Sequence, residues 1–519
     1  MRRRTHSSLL VKSSLLRVVA SMGAVASMGA VALMVCSGMF ASKTMAQAAQ
    51  DSAFKVKDVK LKDKDISEKV IERNKSKSGK TEKVDLAPLD LYYRDYLIPL
   101  LTQATSPESI NKARKEILDD IETIEKNKAL SAKFNPTFIP LMRELILKGT
   151  DGKSYSPQTQ INALILLGRL NSEVAGSGAV KPEAGIQKTL VDVIDQKEND
   201  GLISCGLSIL ARHLKGSAVT ENFRIGFVKK LQTHLTAPAP LTRDLDAHHY
   251  LVEQVIECLT IIAKLDPDKE SGKLATAVLS PALVKIMGAQ ESEWLVEKAM
   301  LSFGMITPVN LTPEDVAVVE KAIAKFVKQS LKDWKKRIAD SGGSGGSMGP
   351  SGYGGSGMMG GMGGMGGMSG EGGDGGYGMP GTPNSNKKPN AFDKQPKEVK
   401  NARRIAHQRF ERIHCALNSE FLAPKPLVAD SKERVPLAQK ALLALISDNE
   451  KEKEKVTELI MKIEQFQKDL NDEKVIDLNA LSMSVNKSIR DIRVVCELIL
   501  AEAKEEISVE AEVDVFSKP

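Results

Sequence analysis

From about Leu91 to Lys336 apolar residues recur at the three- and four-residue spacing of one helix face, broken by short polar turns. One apolar phrase occurs four times in this region: Ala163-Leu164-Ile165-Leu166-Leu167-Gly168, Gly206-Leu207-Ser208-Ile209-Leu210-Ala211, Cys258-Leu259-Thr260-Ile261-Ile262-Ala263 and Ala299-Met300-Leu301-Ser302-Phe303-Gly304. The steps from Leu164 to Leu207 to Leu259 to Met300 are 43, 52 and 41 residues, the period of stacked helix pairs rather than of a closed globule. A second phrase, Ile98-Pro99-Leu100-Leu101, recurs as Ile139-Pro140-Leu141-Met142 and, more loosely, as Ser280-Pro281-Ala282-Leu283. Proline early in a helix gives up an N–H that has no intrahelical partner anyway. The pattern therefore predicts a first helix opened by proline, a short turn, and a second helix with a small residue near its end. That residue is Gly168, Ala211, Ala263 or Gly304, where a neighbouring helix can approach closely. Pairs are predicted over 91–127, 136–171, 184–215, 221–265 and 270–306, with a closing helix from Pro313 to about Lys336.

Period, proline placement and small residue together resemble the HEAT/armadillo class of α-solenoids, over 86–338, near half the chain. The resemblance implies an all-α array with an elongated surface for another macromolecule rather than a catalytic centre. The 52-residue step is explained by an extra turn at Thr236-Ala237-Pro238-Ala239-Pro240. Such insertions fall on one face, often the binding face, so the partner contact is expected there or on the concave side.

The flanks read differently. Residues 1–48 have a basic start, an uncharged run from Val18 to Ser42 and Ala46-Gln47-Ala48, the pattern of an export signal cleaved after Ala48. Retained as an anchor, that run is the chain's expected route to a membrane. Val35 before Cys36 makes a poor lipoprotein signal, and the long basic lead looks bacterial, placing the mature chain in the periplasm, the cell envelope or outside the cell. Residues 49–85 alternate lysines with acids and are expected to form a flexible charged arm. Residues 339–392, rich in Gly, Met and Ser, read as a disordered tether. A C-terminal helical bundle or hairpin follows over 393–510, with segments near 397–418, 435–448, 450–472 and 478–505, and then a tail over 511–519. Glu450 to Leu470 is charged enough to flank a coiled coil, so packing in cis and in trans both stand open.

Composition narrows the chemistry. Hydrophobic residues make up 42% and aromatics 4%, so the core is aliphatic and an aromatic-rich β-sandwich is disfavoured. Of the net charge of +7, six units come from Arg2, Arg3, Arg4, Lys12, Arg17 and Lys43 in the export signal. The remainder is nearly neutral with no consistently basic helix face, so nucleic acid is not an expected partner. Cys205, Cys258, Cys415 and Cys496 are expected to pack as small buried hydrophobes. Cys205 and Cys258 fall in successive repeats, and a disulfide between them stays open in an oxidising compartment.

Three clusters are candidates for metal or proton chemistry. After Met358, the series Met359, Met362, Met365 and Met368 supplies soft thioethers of the kind that suit Cu(I), although the run holds no His or Cys. His407, Glu411 and His414 stand at i, i+4 and i+7, a spacing that can present ligands to zinc or iron. The buried stripe of that helix is predicted to be Ala402, Ile405, Phe410, Ile413 and Leu417, with the trio to its side or outward. Asp244, Asp246, His248 and His249 stand where a helix begins, and the acids suit capping there. No Cys-x-x-Cys or His-Glu-x-x-His is present, and the Gly-rich tract lacks the flanking strand and helix that a phosphate-binding loop requires. The sequence thus predicts a noncatalytic protein-binding scaffold without a cofactor, with an envelope metal handler and an undetected hydrolase as rivals.

Overall fold

The computed structural model describes residues 54–61, 63–78, 86–103, 106–147, 152–174, 180–196, 199–240, 243–289, 292–342, 395–422, 434–436, 441–446, 449–472, 475 and 477–513. The export signal, Met359, Met362, Met365, Met368, nearly all of the tether and most of the tail lie outside them. Among the described residues the fold is all-α apart from two short antiparallel strand pairs. The chain divides into two compact units, Met1–Leu170 and Asn171–Pro519.

In the first unit, helix α1 (Asp63–Ser78) packs on α2 (Ala87–Tyr92) and α4 (Pro107–Glu125). Between α2 and α3 (Ile98–Leu101) the backbone passes through one π turn, Tyr93–Leu97. Helix α5 (Lys128–Ile146) packs on α4 and on α6 (Pro157–Arg169), and α6 also packs on α3 and α4. Tyr93 meets Phe134 and Phe138 edge-on, with ring centres 5.8 and 5.7 Å apart. Side-chain caps start the helices where the sequence supplies them: Ser106, Asn127 and Ser156 each accept a first-turn N–H.

The repeated prolines sit elsewhere than predicted. Pro99 follows the π turn inside continuous helical backbone, Pro140 lies within α5 alongside Pro136, and Pro281 is interior to its own helix. An interior proline costs a backbone hydrogen bond. The wider π turn, in which Ile98 N donates to Tyr93 O, accommodates that loss at Pro99. Prolines that do open helices are Pro88, Pro107, Pro157 and, as predicted, Pro313.

The first part of the charged arm also differs from expectation. Residues 54–61 are fastened by backbone bonds: Lys55 N donates to Ser154 O, Lys57 N to Thr102 Oγ1 and Lys60 N to Asp95 O, at 3.0, 2.9 and 3.0 Å. From α1, Arg73 reaches into a buried acidic pocket. Its low hydrophobicity misleads because this arm is held by polar bonds rather than by apolar burial.

The second unit begins with strands β1 (Asn171–Val174) and β2 (Val180–Pro182), then α7 (Gln187–Ile194) and α8 (Asp200–Lys215). Four helices follow in order, α9 (Glu221–Thr236), α10 (Leu245–Leu265), α11 (Glu270–Ala289) and α12 (Glu293–Met305). After α13 (Pro313–Gly342) the undescribed stretch intervenes, and α14 (Lys397–Asn418) resumes. Strands β3 (Glu420–Leu422) and β4 (Arg434–Pro436) pair, the short α15 (Leu442–Leu445) follows, and α16 (Glu450–Leu470) and α17 (Leu478–Val513) end the chain.

These helices adjoin in two rows. One runs α7, α9, α11, α13, α17 and the other α8, α10, α12, α14, α16, each helix touching the next in its row and a partner across. In the second row α8, α10, α12 and α14 run parallel, as successive cross-links show: Ser208 with Gln254 and Lys215 with Glu257, then His249 with Trp294 and Glu257 with Lys298, then Glu293 with Arg409 and Glu297 with Arg412. The last pair is reversed in order and direction, because the chain re-enters the second row at Glu450. The C-terminal helices therefore pack in cis, and α14 is the pair partner of α13 although residues 343–394 separate them in sequence.

The small-residue prediction has its clearest outcome at Gly304. A Cβ there would stand 2.0 Å from the Cys415 carbonyl oxygen, and Ser419 Oγ donates to Gly304 O at 2.6 Å. The glycine lets α14 seat its backbone directly on α12. Apolarity in α11 has a similar origin. Among the described residues it is the helix long and apolar enough to cross a bilayer, and it is packed by α9, α10, α12 and α13.

Candidate functional site

His407, Glu411 and His414 come together with α16 rather than with one another. His407 Nε2 is 2.8 Å from Asn471 Oδ1, Gln467 Nε2 donates to Glu411 Oε1 at 2.6 Å, and His414 Nε2 is 3.2 Å from Glu464 Oε1. Each step toward the C-terminus of α14 is matched by a step back along α16, so the trio forms rungs between antiparallel helices. Glu411 and His414 are buried, which corrects the predicted outward flank, while Ala402 and Ile405 of the predicted stripe are only half-buried. The reason is that α14 is covered on several sides, by α12, α13 and α16. Burial lowers the His407 pKa, favouring the neutral ring. Among the described residues no cluster of three His, Cys, Asp or Glu is arranged to hold a metal ion.

At the start of α10, Asp244 Oδ1 accepts from Asp246 N and Ala247 N at 3.0 and 3.2 Å, the predicted capping role. Arg243, just beyond the proline insertion, forks onto Asp200 at 2.6 and 2.5 Å and sets Nη1 3.1 Å from His248 Nδ1. His249 is buried with its ring edge toward Trp294, 6.3 Å between centres. The cluster thus ties the inserted turn to α8. Pro238 and Pro240 remain exposed on that turn.

Among the described residues Cys205, Cys258, Cys415 and Cys496 are separate buried thiols, so the open disulfide between Cys205 and Cys258 is not formed. Cys258 Sγ instead faces Leu207 O at 3.4 Å. Burial pushes the thiols of Cys205, Cys415 and Cys496 up to about 12, which keeps them protonated and unreactive.

Two polar constellations were not legible as sites. In the first unit Arg73 donates Nε to Asp120 Oδ2 at 2.8 Å and Nη2 to Asp120 Oδ1 at 2.6 Å, with Nη1 3.0 Å from Glu116 Oε2. Tyr92 OH donates to Glu116 and Tyr93 OH to Asp120, at 3.1 and 3.0 Å. Burial opposes the Arg73 charge, yet Asp120 and Glu116 hold its pKa above the ordinary value, and burial raises both tyrosines. The π turn brings Tyr93 onto the acid.

In the second unit, the second-row helices share a ladder of ion pairs: Lys215 and Lys298 both reach Glu257 at 2.9 and 3.1 Å, and Arg409 and Arg412 reach Glu293 and Glu297 at 2.7 and 2.8 Å. Burial raises the Glu253 carboxyl. At Glu257 burial acts in the same sense, but Lys298 and Lys215 prevail and lower it. These charges are spent on one another, stitching successive helices together. Comparison of the chain with known protein families, with characterised proteins and with solved structures gives no match.

Proposed function

We propose that this protein is an exported, noncatalytic protein-binding scaffold of the bacterial cell envelope, built as a HEAT/armadillo-like α-solenoid. The observation that supports this reading most is the parallel order of α8, α10, α12 and α14, each also paired with a helix of the other row. Repeated pairs of this kind bury their apolar sides only against neighbours and leave long faces to solvent. The polar clusters support the same reading, since those that resembled ligand sets are occupied in joining helices.

The test is affinity isolation of the mature chain from its native envelope fraction. The scaffold reading expects one or a few envelope proteins enriched over a control bait, and fractionation that places the chain outside the cytoplasm. A chain that enriches nothing, or that stays in the cytoplasm, removes the proposal.

A further inference from the structure

Helices α13 and α17 adjoin along their length, and Lys328 Nζ meets Glu497 Oε1 at 3.1 Å. Because the two run antiparallel, positions four and seven residues further along α13 face positions four and seven residues back along α17. Those positions are Lys332 opposite Arg493 and Lys335 opposite Arg490. Four cations thus stand across one seam, two rungs of like charge where the preceding rung is an ion pair. Lys335 feels both arginines, and its pKa is lowered by partial burial together with Arg493 and Arg490.

Like charges facing each other at this spacing destabilise a helix pair unless something else compensates them. The nearby acids do not. Asp333 is engaged by Gln329, Asp491 by Lys462 and Glu497 by Lys328. Among the described residues none of the four cations is drawn into an ion pair. The contrast with the second-row ladder is direct, since there every cation named has its acid.

Beside the seam α17 exposes two apolar side chains among its charges. Val494 and Leu498, 57% and 50% exposed, stand one and two turns from Arg490. We infer that the α13–α17 seam is a docking surface for an acidic amphipathic helix of a partner protein, its carboxylates received by Lys332, Lys335, Arg490 and Arg493 and its apolar edge by Val494 and Leu498. Arginine forks match carboxylates in bidentate geometry, and the apolar strip supplies burial that an ion pair at the surface does not. The seam is narrow and bordered by Asp333, Asp491 and Glu497, which favours a single helix over a broad anionic membrane. The inference rests on the protein-binding reading above and names the chemistry of the partner.

The test uses the full chain and a fluorescent peptide of about sixteen residues, about four helical turns, with Glu along one face and Leu beside it. Controls are the same peptide with Gln for Glu, and phosphatidylcholine–phosphatidylglycerol vesicles. Binding to the native chain is expected to weaken with added salt, and to fall at least tenfold with the Gln peptide and with Lys335→Gln/Arg490→Gln. That double variant relieves repulsion, so its melting temperature should be no lower than native, and Val494→Asn should weaken binding without changing its salt dependence. Absence of peptide binding, equal binding by the double variant, or vesicle binding that the double variant abolishes overturns the inference. If the peptide fails while envelope proteins co-purify equally with native and variant chains, the scaffold reading stands and the seam is not its docking surface.

Discussion

At the scale of single residues the buried imidazole of His213 sets a pH dependence. It is fully enclosed in α8, both ring nitrogens lack a hydrogen-bond partner, and burial, with Arg212 adding to it, lowers its pKa to about 3. The unfolded chain titrates near 6.5. Between these values the unfolded state binds the extra proton, so stability is full above the unfolded pKa and falls as pH drops below it, by about 2 kcal/mol at pH 5. Urea denaturation of native and His213→Leu chains should show the native curve weakening from pH 7 to pH 5 more than the variant's. Equal slopes for the two would remove this assignment. Gly304 makes the complementary case, in which the absence of a side chain matters. Gly304→Ala places a methyl against the Cys415 carbonyl, where backbone and not a flexible side chain must yield. A loss of about 1–3 kcal/mol is expected, read as a lower urea midpoint, whereas Gly226→Ala, with open space at its Cβ, should be neutral or slightly stabilising.

Among the elements, α1 shows how much a helix can owe to one side chain. Arg73→Ala removes the cation that forks onto the fully enclosed Asp120, a change that costs about 3–5 kcal/mol. Arg94→Ala, which breaks an exposed pair with Asp90, should cost less than about 1 kcal/mol. Hydrogen exchange should report faster exchange in 63–78 for Arg73→Ala and not for Arg94→Ala; unchanged protection of α1 would mean that the arginine is not its anchor. The element scale is also where sequence reading succeeds and stops. Helices were legible because Leu, Ile and Val at helical spacing report burial on one side, and the apolar phrase falls within α6, α8, α10 and α12. The docking of α1 was not legible, since an arginine binding an acid 47 residues away leaves no periodic trace. Likewise His407, Glu411 and His414 share helical spacing with metal ligands, and only the facing side chains Asn471, Gln467 and Glu464 distinguish rungs from a ligand set. The proline phrase misled for a related reason, because a helix packed on several sides tolerates an interior proline that propensity alone would place at its start.

For the second unit as a whole, most helices were legible, but the helix predicted near 435–448 is a strand over Arg434–Pro436 and one helical turn over Leu442–Leu445. Low complexity over 339–392 reads as a boundary between modules, yet the helices before and after it are neighbours in the same rows. The α13–α17 seam belongs to this scale as well: Lys332 and Lys335 are ordinary in one helix, Arg490 and Arg493 in another, and the positive strip exists only once distant segments adjoin. The intervening stretch has one further consequence. Because α12 meets α14 and α13 meets α17, the covalent connection through 343–394 is not what keeps the two sides associated. A protease site introduced near residue 360 should yield two fragments on a denaturing gel that elute as a single species under native conditions and melt in one transition. Elution as two species would contradict the packing. If the fragments reassemble after separate expression, the chain has a natural split point, where new termini or an inserted domain can be placed without opening the helical rows.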